Sequence, residues 1–224
     1  MRRFLAVLLC VSVLSVPVRA DSGVRYAALT FDDGPSGRFT RQLLEGLQER
    51  GAKATFFLCG YRLKNDPKLG ARIYEEGHEI GIHGYSHASF CDMTVQQITD
   101  EIRSTAALLP PGCHPIFLRA PGGLCGKGVG EAAGRDGLAI LSWSVDPQDW
   151  ATRDREKIVK YVTERTKDGD VILLHDMSES SVEAALQIVD ILSRRGFQFV
   201  TATELVQLRG ESLVPGRTYR RFRP

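Results

Sequence analysis

No internal repeat, no low-complexity tract and no linker-like run interrupts the 224 residues, which argues against a solenoid or a multi-domain chain. No extended basic patch with interleaved aromatics is present, so nucleic acid is not an expected partner. There is no C-x-x-C pair of the kind that clasps structural zinc. The longest apolar stretch, Phe4 to Val16, is shorter than the ~20 residues a membrane span needs, so stable membrane insertion is not expected.

That stretch instead belongs to the plan of a signal peptide. Two arginines precede it, and Val18-Arg19-Ala20 follows, with cleavage expected after Ala20 and export as the consequence. Removing residues 1–20 lowers Lys+Arg from 29 to 26 against 27 Asp+Glu, a net charge of −1. The remaining charge is uneven, because residues 209–224 carry five arginines and one glutamate. We read this basic tail as a solvated, partly disordered end; contact with an anionic wall or membrane surface is the alternative. Cys59, Cys91, Cys113 and Cys125 remain after cleavage. An exported chain can pair them, and the sequence does not choose among the three pairings.

Seven short runs rich in β-branched and aromatic residues read as buried strands: 26–31, 54–59, 79–83, 116–120, 138–143, 170–175 and 197–201. Between them lie amphipathic stretches. "RFTRQLLEGLQERG" puts Phe39, Leu43, Leu44 and Leu47 on one stripe and stops at Gly51. Thr94 is a candidate N-cap for the helix that follows it, and Gly196 ends the helix containing "SVEAALQIVDILSRR". "PKLGARIYEEG" and "TRDREKIVKYVTERTKDG" read as two further helices. Strands alternating with helices imply a single-domain, parallel α/β architecture; alternation does not separate a closed barrel from an open sheet.

The polar residues gather at the C-terminal ends of the apolar runs. Asp32-Asp33 follow the first, His83 and His87 the third, Arg119 the fourth, Asp146 and Asp149 the fifth, and His175-Asp176 the sixth. In parallel α/β folds those ends share one rim, where sites are built. His83 and His87 can face one point if "HGYSH" turns helically, and two imidazoles with one carboxylate make a three-ligand metal site. Gly34-Pro35 mark a turn that lets both aspartates leave the strand's alternation. Two adjacent carboxylates repel, so they need positive partners, which a metal and Arg119 would supply. His78 and His114 read as a locally bonded and an exposed histidine.

"TFDDGP", "HGYSH", "RAPGG", "VDPQDW" and "LLHD" resemble, in order and spacing, the motifs of the polysaccharide deacetylases, the NodB-homology or carbohydrate esterase family 4 proteins. The resemblance covers nearly all of residues 24–208, so the expected layout is a signal peptide (1–20), a NodB-type domain (21–208) and the tail. It implies a distorted parallel (β/α)7-type barrel and a divalent metal: zinc foremost, with cobalt or nickel as alternatives. It implies hydrolysis of N-acetyl groups on GlcNAc-type units of a polysaccharide (peptidoglycan, chitin oligomers or poly-GlcNAc), by a monomer. An O-acetyl xylan esterase and a non-catalytic glycan-binding protein on the same fold are the alternatives. Carried over residue by residue, Asp33, His83 and His87 are the metal ligands and Asp32 the general base, held by Arg119. His175 is the general acid, tuned by Asp146. The Gly122 N–H is the oxyanion donor, and Trp150 and Leu173 line the acetyl groove. Two positions depart from the family pattern. Gly84 stands where Ser or Thr is usual, which removes a hydroxyl, and Gly122 stands where an aromatic is frequent.

Overall fold

A computed structural model describes residues 23–123 and 126–223. The expected signal peptide and Cys125 lie outside the described residues.

Alternation along β1 (Arg25–Asp32) sorts its side chains into two layers. Ala27, Leu29 and Phe31 face outward into a core shared with helices, while Ala28, Thr30 and Asp32 face the other way. The same division runs through β2 (Thr55–Leu58) and β6 (Val171–His175). Phe56, Leu58, Ile172 and Leu174 join the outer core; Phe57 and Val171 join the inner one. Strands buried on both faces lack a polar stripe, which is why these runs read as nearly continuous apolar sequence.

The other strands are β3 (Glu79–Ile82), β4 (Phe117–Leu118), β5 (Ala139–Leu141), β7 (Phe197–Val200) and β8 (Thr218–Tyr219). All named ladders are parallel, in the order β6-β1-β2-β3-β4-β5-β8. β1 is long enough to serve two neighbours on one edge: β7 pairs its first half and β6 its second. No ladder joins β5 to β6 among the described residues; the segment after β5 meets β6 through the bridge Val145↔Ile172 and the hydrogen bonds of Ser144 with Val171. The result is the distorted (β/α)7-type barrel that the sequence resemblance implied.

The helices are α1 (Arg38–Glu49), α2 (Gly60–Asn65), α3 (Pro67–Glu75), α4 (Val95–Ala106), α5 (Gly126–Arg135), α6 (Asp149–Thr152), α7 (Arg155–Arg165), α8 (Glu179–Arg194) and α9 (Ala202–Leu208). Thr94 caps α4 in a reciprocal capping box with Gln97, as its position suggested. Asp66 caps α3, whose first residue is Pro67. The α1 stripe of Leu43, Leu44 and Leu47 is fully buried against β1 and α8 neighbours in the outer core.

The tail departs from the solvated end expected of it. Its strand β8 extends the sheet beyond β5, and Arg221 bridges Asp170 across the open seam. Phe222 is buried in the inner core beside α9, and its N–H donates to Gly169 O at 2.7 Å. Arg209 pairs with Asp168 and donates to Phe222 O. The physical reason is burial: one phenylalanine in the inner core is worth about 2–3 kcal/mol, and the arginine charges meet carboxylates around it. Cys91 is disulfide-bonded, whereas Cys59 and Cys113 are free thiols.

Candidate active site

The inner columns of β1 and β6 run from apolar to polar. Ala28, Thr30 and Asp32 stand in register with Val171, Leu173 and His175. Register neighbours on adjacent strands are about 4.8 Å apart and point to the same face. Asp32 and His175 therefore project together at the C-terminal mouth of the barrel, into a cavity of about 390 Å³. Asp33 reaches the same cavity by a different route. Its φ of 72° lies in the left-handed region, so the strand's alternation is broken and the second carboxylate turns back. Gly34 follows with a cis bond to Pro35. A Cβ on Gly34 would come within 2.9 Å of both oxygens of the buried Asp176, so only glycine fits there.

His83 extends β3, and His87 follows four residues later. The intervening segment is a bend, not the helical turn expected, and Gly84 (φ 77°) and His87 (φ 63°) both take left-handed backbone to close it. This explains the departure at Gly84: a Ser or Thr Cβ would strain that φ and approach Phe90 to 3.0 Å. Glu101 grips the bend instead, accepting from the Tyr85 and Ser86 N–H groups at 2.7 and 2.8 Å and from Ser86 Oγ at 2.9 Å.

Ligand atoms of Asp33, His83 and His87 lie within 4.8 Å of one another. His83 Nε2 is 3.3 Å and His87 Nε2 2.9 Å from Asp33 Oδ1. That oxygen is nevertheless buried without a hydrogen bond of proper geometry. Three donors aimed at one point, with an orphaned oxygen among them, fit a divalent cation. His83 Nδ1 lies 2.8 Å from Arg119 O. A carbonyl only accepts, so Nδ1 carries the proton and Nε2 keeps its lone pair for a metal. Burial pulls the Asp33 carboxyl up, but with both imidazoles protonated their hydrogen bonds and charge outweigh it and hold it well below the usual carboxylate range, and a cation held between them in their neutral form would act in the same direction. The carboxyl is thus ionised, as a ligand must be.

Arg119 follows β4 and is 1% exposed. Its Nη1 donates to Asp32 Oδ1 at 2.6 Å and Thr30 Oγ1 at 2.8 Å; its Nε and Nη2 donate to Leu141 O and Ser142 O at 2.8 and 3.1 Å. The guanidinium lies 4.0 Å from the Phe57 ring centroid. Asp32, itself 3% exposed, thereby keeps one oxygen on Arg119 and has the other, Oδ2, 3.7 Å from His83 Nε2.

His175 is the other oriented group. Here the structure corrects an expectation: the carboxylate against its imidazole is Asp149, not Asp146. Asp149 Oδ1 lies 2.8 Å from His175 Nδ1, and its Oδ2 accepts from the His175 N–H at 2.9 Å. Asp149 is fully buried at the start of α6, whereas Asp146 turns to accept from the Gln148 N–H at 2.8 Å and lines the cavity. Two aspartates three apart were both visible in "VDPQDW". Gln148, at φ 53°, starts α6 and turns the second one inward, which spacing does not reveal. Burial lowers the His175 pKa, but the Asp149 hydrogen bond and the charges of Asp149, Asp32 and Asp33 outweigh it and raise it to about 9.

Gly122, Trp150 and Leu173 also line the cavity. The Gly122 N–H makes no hydrogen bond among the described residues. Trp150 is 61% exposed at the rim, and Leu173 forms the floor. Trp143 was not singled out from the sequence, yet it forms a wall beside Gly123. All four non-glycine residues with positive φ among those described are Asp33, His87, Gln148 and Arg153, and the first three line this cavity. Backbone strain of roughly 1–2 kcal/mol each is thus concentrated at one place.

A barrel with an oriented carboxylate, an oriented imidazole and a three-donor cation cradle at its C-terminal mouth has the parts of a metal-assisted hydrolase. Comparison with known proteins agrees. A family model described as polysaccharide deacetylase matches residues 19–141. A peptidoglycan-N-acetylglucosamine deacetylase of Bacillus cereus is 35% identical over 186 residues, covering 80% of this chain and 87% of the relative. A chitooligosaccharide deacetylase of Bradyrhizobium is 32% identical, with 79% and 89% covered. The Listeria monocytogenes peptidoglycan-N-acetylglucosamine deacetylase PgdA is 36% identical over 86% of this chain, which spans 40% of that longer protein. Among solved structures, a family 4 acetyl xylan esterase from Clostridium thermocellum with a cobalt ion superposes with a TM-score of 0.82 at 32% identity, covering 88% and 98% of the two chains. The chain belongs to the polysaccharide deacetylase family, carbohydrate esterase family 4, and is an enzyme of that hydrolase class. No helix among the described residues is long and apolar enough to cross a membrane.

Proposed function

We propose that the protein is a metal-dependent deacetylase that hydrolyses the N-acetyl group of GlcNAc-type units in a polysaccharide, acting as an exported monomer after cleavage near Ala20. One observation carries the reading. A single cavity joins the Asp33–His83–His87 cradle to an arginine-held carboxylate, Asp32, and an aspartate-held imidazole, His175. A divalent ion in that cradle, zinc foremost and cobalt or nickel as alternatives, would polarise the acetyl carbonyl and acidify a water.

The chain's own groups do the rest. Asp32 accepts the proton of the attacking water, and the Arg119 hydrogen bond to its Oδ1 fixes its orientation. The free N–H of Gly122 donates to the developing oxyanion. His175, raised to about 9, is protonated at neutral pH and delivers its proton to the departing sugar amine. Asp149 holds Nδ1, so the transferable proton is on Nε2. Leu173 and the two tryptophans shape an apolar slot around the acetyl methyl.

The test is acetate release from chitooligosaccharide, peptidoglycan and acetylated xylan, before and after chelation. Chelator-sensitive release from the N-acetylated substrates is expected. Release from xylan alone would select the O-acetyl esterase reading, and binding without release the glycan-binding one. N-terminal sequencing of the exported protein tests cleavage near Ala20.

A further inference from the structure

A second cavity of about 160 Å³ adjoins the first and shares Asp33, Trp150 and His175 with it. Arg153 lines this second cavity, together with Met177 and Ser178. Among the described residues it is the one lysine or arginine lining either cavity. Its Nε donates to Trp150 O at 3.3 Å, which ties its stem to the loop that presents Trp150. No carboxylate lies within ion-pair distance of its guanidinium among the described residues. The nearest acid in sequence, Asp154, is engaged elsewhere: it accepts from the Lys157 N–H at 3.1 Å and pairs with Lys157 Nζ. The backbone of Arg153 sits at φ 48°, which fixes where its side chain leaves α6.

A guanidinium with free donors, one cavity away from the reacting atoms, asks for an anion on the substrate. The backbones of chitin, poly-GlcNAc and xylan are neutral. Peptidoglycan alternates an N-acetylated sugar with one bearing a 3-O-lactyl arm that ends in a carboxyl. We infer that this second cavity is a subsite for a carboxylate carried by the sugar next to the one deacetylated, with Arg153 as the residue that reads it and Met177 and Trp150 as apolar walls. The inference rests on the proposed deacetylase reading and narrows it to carboxylate-bearing strands. Two sources supply such a group: the lactyl arm itself, free in strands stripped of peptide, and the acidic residues of an attached peptide.

The experiment compares four substrates on the metal-loaded full chain: chitotetraose, a peptide-free GlcNAc–MurNAc tetrasaccharide, the same with its lactyl carboxyls amidated, and a peptide-bearing version. Acetate release gives kcat/KM, and calorimetry gives Kd. Arg153→Ala is expected to lower kcat/KM on the peptide-free tetrasaccharide about tenfold more than on chitotetraose, the size of one charge-assisted hydrogen bond. Arg153→Lys should recover part of the loss, and amidating the lactyl arm should reproduce it in the wild type. If the peptide is the source, the loss appears only with the peptide-bearing substrate. Equal losses on all substrates, or no loss on either carboxylate-bearing one, overturn the subsite. If the wild type releases acetate from none of them, the deacetylase reading fails, while the Kd ratios still decide the subsite. Thermal melts check that each variant folds.

Discussion

Strand β3 has a histidine at each end, His78 just before Glu79 and His83 just after Ile82. Both imidazoles are buried, and each has a carboxylate close by in space or sequence. At the lower end His78 and Glu79 are both held by local hydrogen bonds. His78 Nδ1 accepts from the Ala54 N–H at 3.2 Å, and burial, helped by Lys53, drops its pKa to about 4. Glu79 accepts from Thr55 Oγ1 at 2.9 Å, from the Thr203 N–H at 3.1 Å and from Thr203 Oγ1. At the upper end, Asp33 and Asp176 each leave a buried oxygen without a hydrogen bond, and the backbone is strained. The same residue types make a closed structural joint at one end and an open reactive one at the other. Buried polar groups left unsatisfied cost about 1–3 kcal/mol each, so the Asp33 and Asp176 oxygens together with the strained backbone mark stability given up at the mouth.

Substitutions should separate the two ends. The largest effect is expected at the mouth: Asp32→Asn lowers kcat by roughly 10²–10⁴ while metal content, read by mass spectrometry, stays. If it instead strips the metal and Asp33→Asn keeps both metal and activity, the two roles are exchanged. Arg119→Ala leaves Asp32 buried and unpaired, which costs about 3–5 kcal/mol in denaturant unfolding and lowers turnover as well. At the lower end, Phe222→Ala should cost about 3 kcal/mol yet leave kcat of the folded enzyme near wild type; a collapse of kcat would link the tail to the site.

Protonation sharpens the contrast further. With its pKa raised to about 9, His175 in its proposed role stays protonated below that value, so kcat/KM should hold up to about pH 9 and fall as pH rises through it. Asp149→Asn weakens the causes that raise this pKa, so the fall moves to lower pH; an unmoved alkaline limb assigns the acid elsewhere. The smallest effect is Gly84→Ser, which forces a side chain into φ 77° and should cost about 1–2 kcal/mol, measured as a lower unfolding midpoint.

The seven sequence-read strands appear within a residue or two of their expected ends, because two-sided burial demands apolar runs that few other structures tolerate. Asp32, Asp33, His83, His87, Arg119 and His175 were legible because they sit just past those runs, where topology alone assigns them to one rim. What stayed hidden depends on tertiary contacts. α5 contains Gly126, Gly128, Gly130 and Gly134, a composition that argues against a helix. Gly130 and Gly134 are the face on which the tail's Gly216 backbone lies, within 4 Å of where side chains would stand. The tail's own fate was hidden for the same reason, since its arginines suggest solvent and only the barrel seam supplies Phe222 with a pocket. That Asp149 rather than Asp146 meets His175 was hidden by a single left-handed residue, Gln148.

The pairing Asp32↔His175 has a consequence for how the catalyst is assembled. The distance between the proposed base and the proposed acid is an increment of the sheet's own hydrogen-bond ladder, so loop changes leave it untouched. A one-residue slip of β6 along β1 would turn His175 to the outer face and bring a neighbour into its place. Under the proposed function, acetate release should double as a readout of strand alignment: a chain folded out of step is expected to be silent however compact it is.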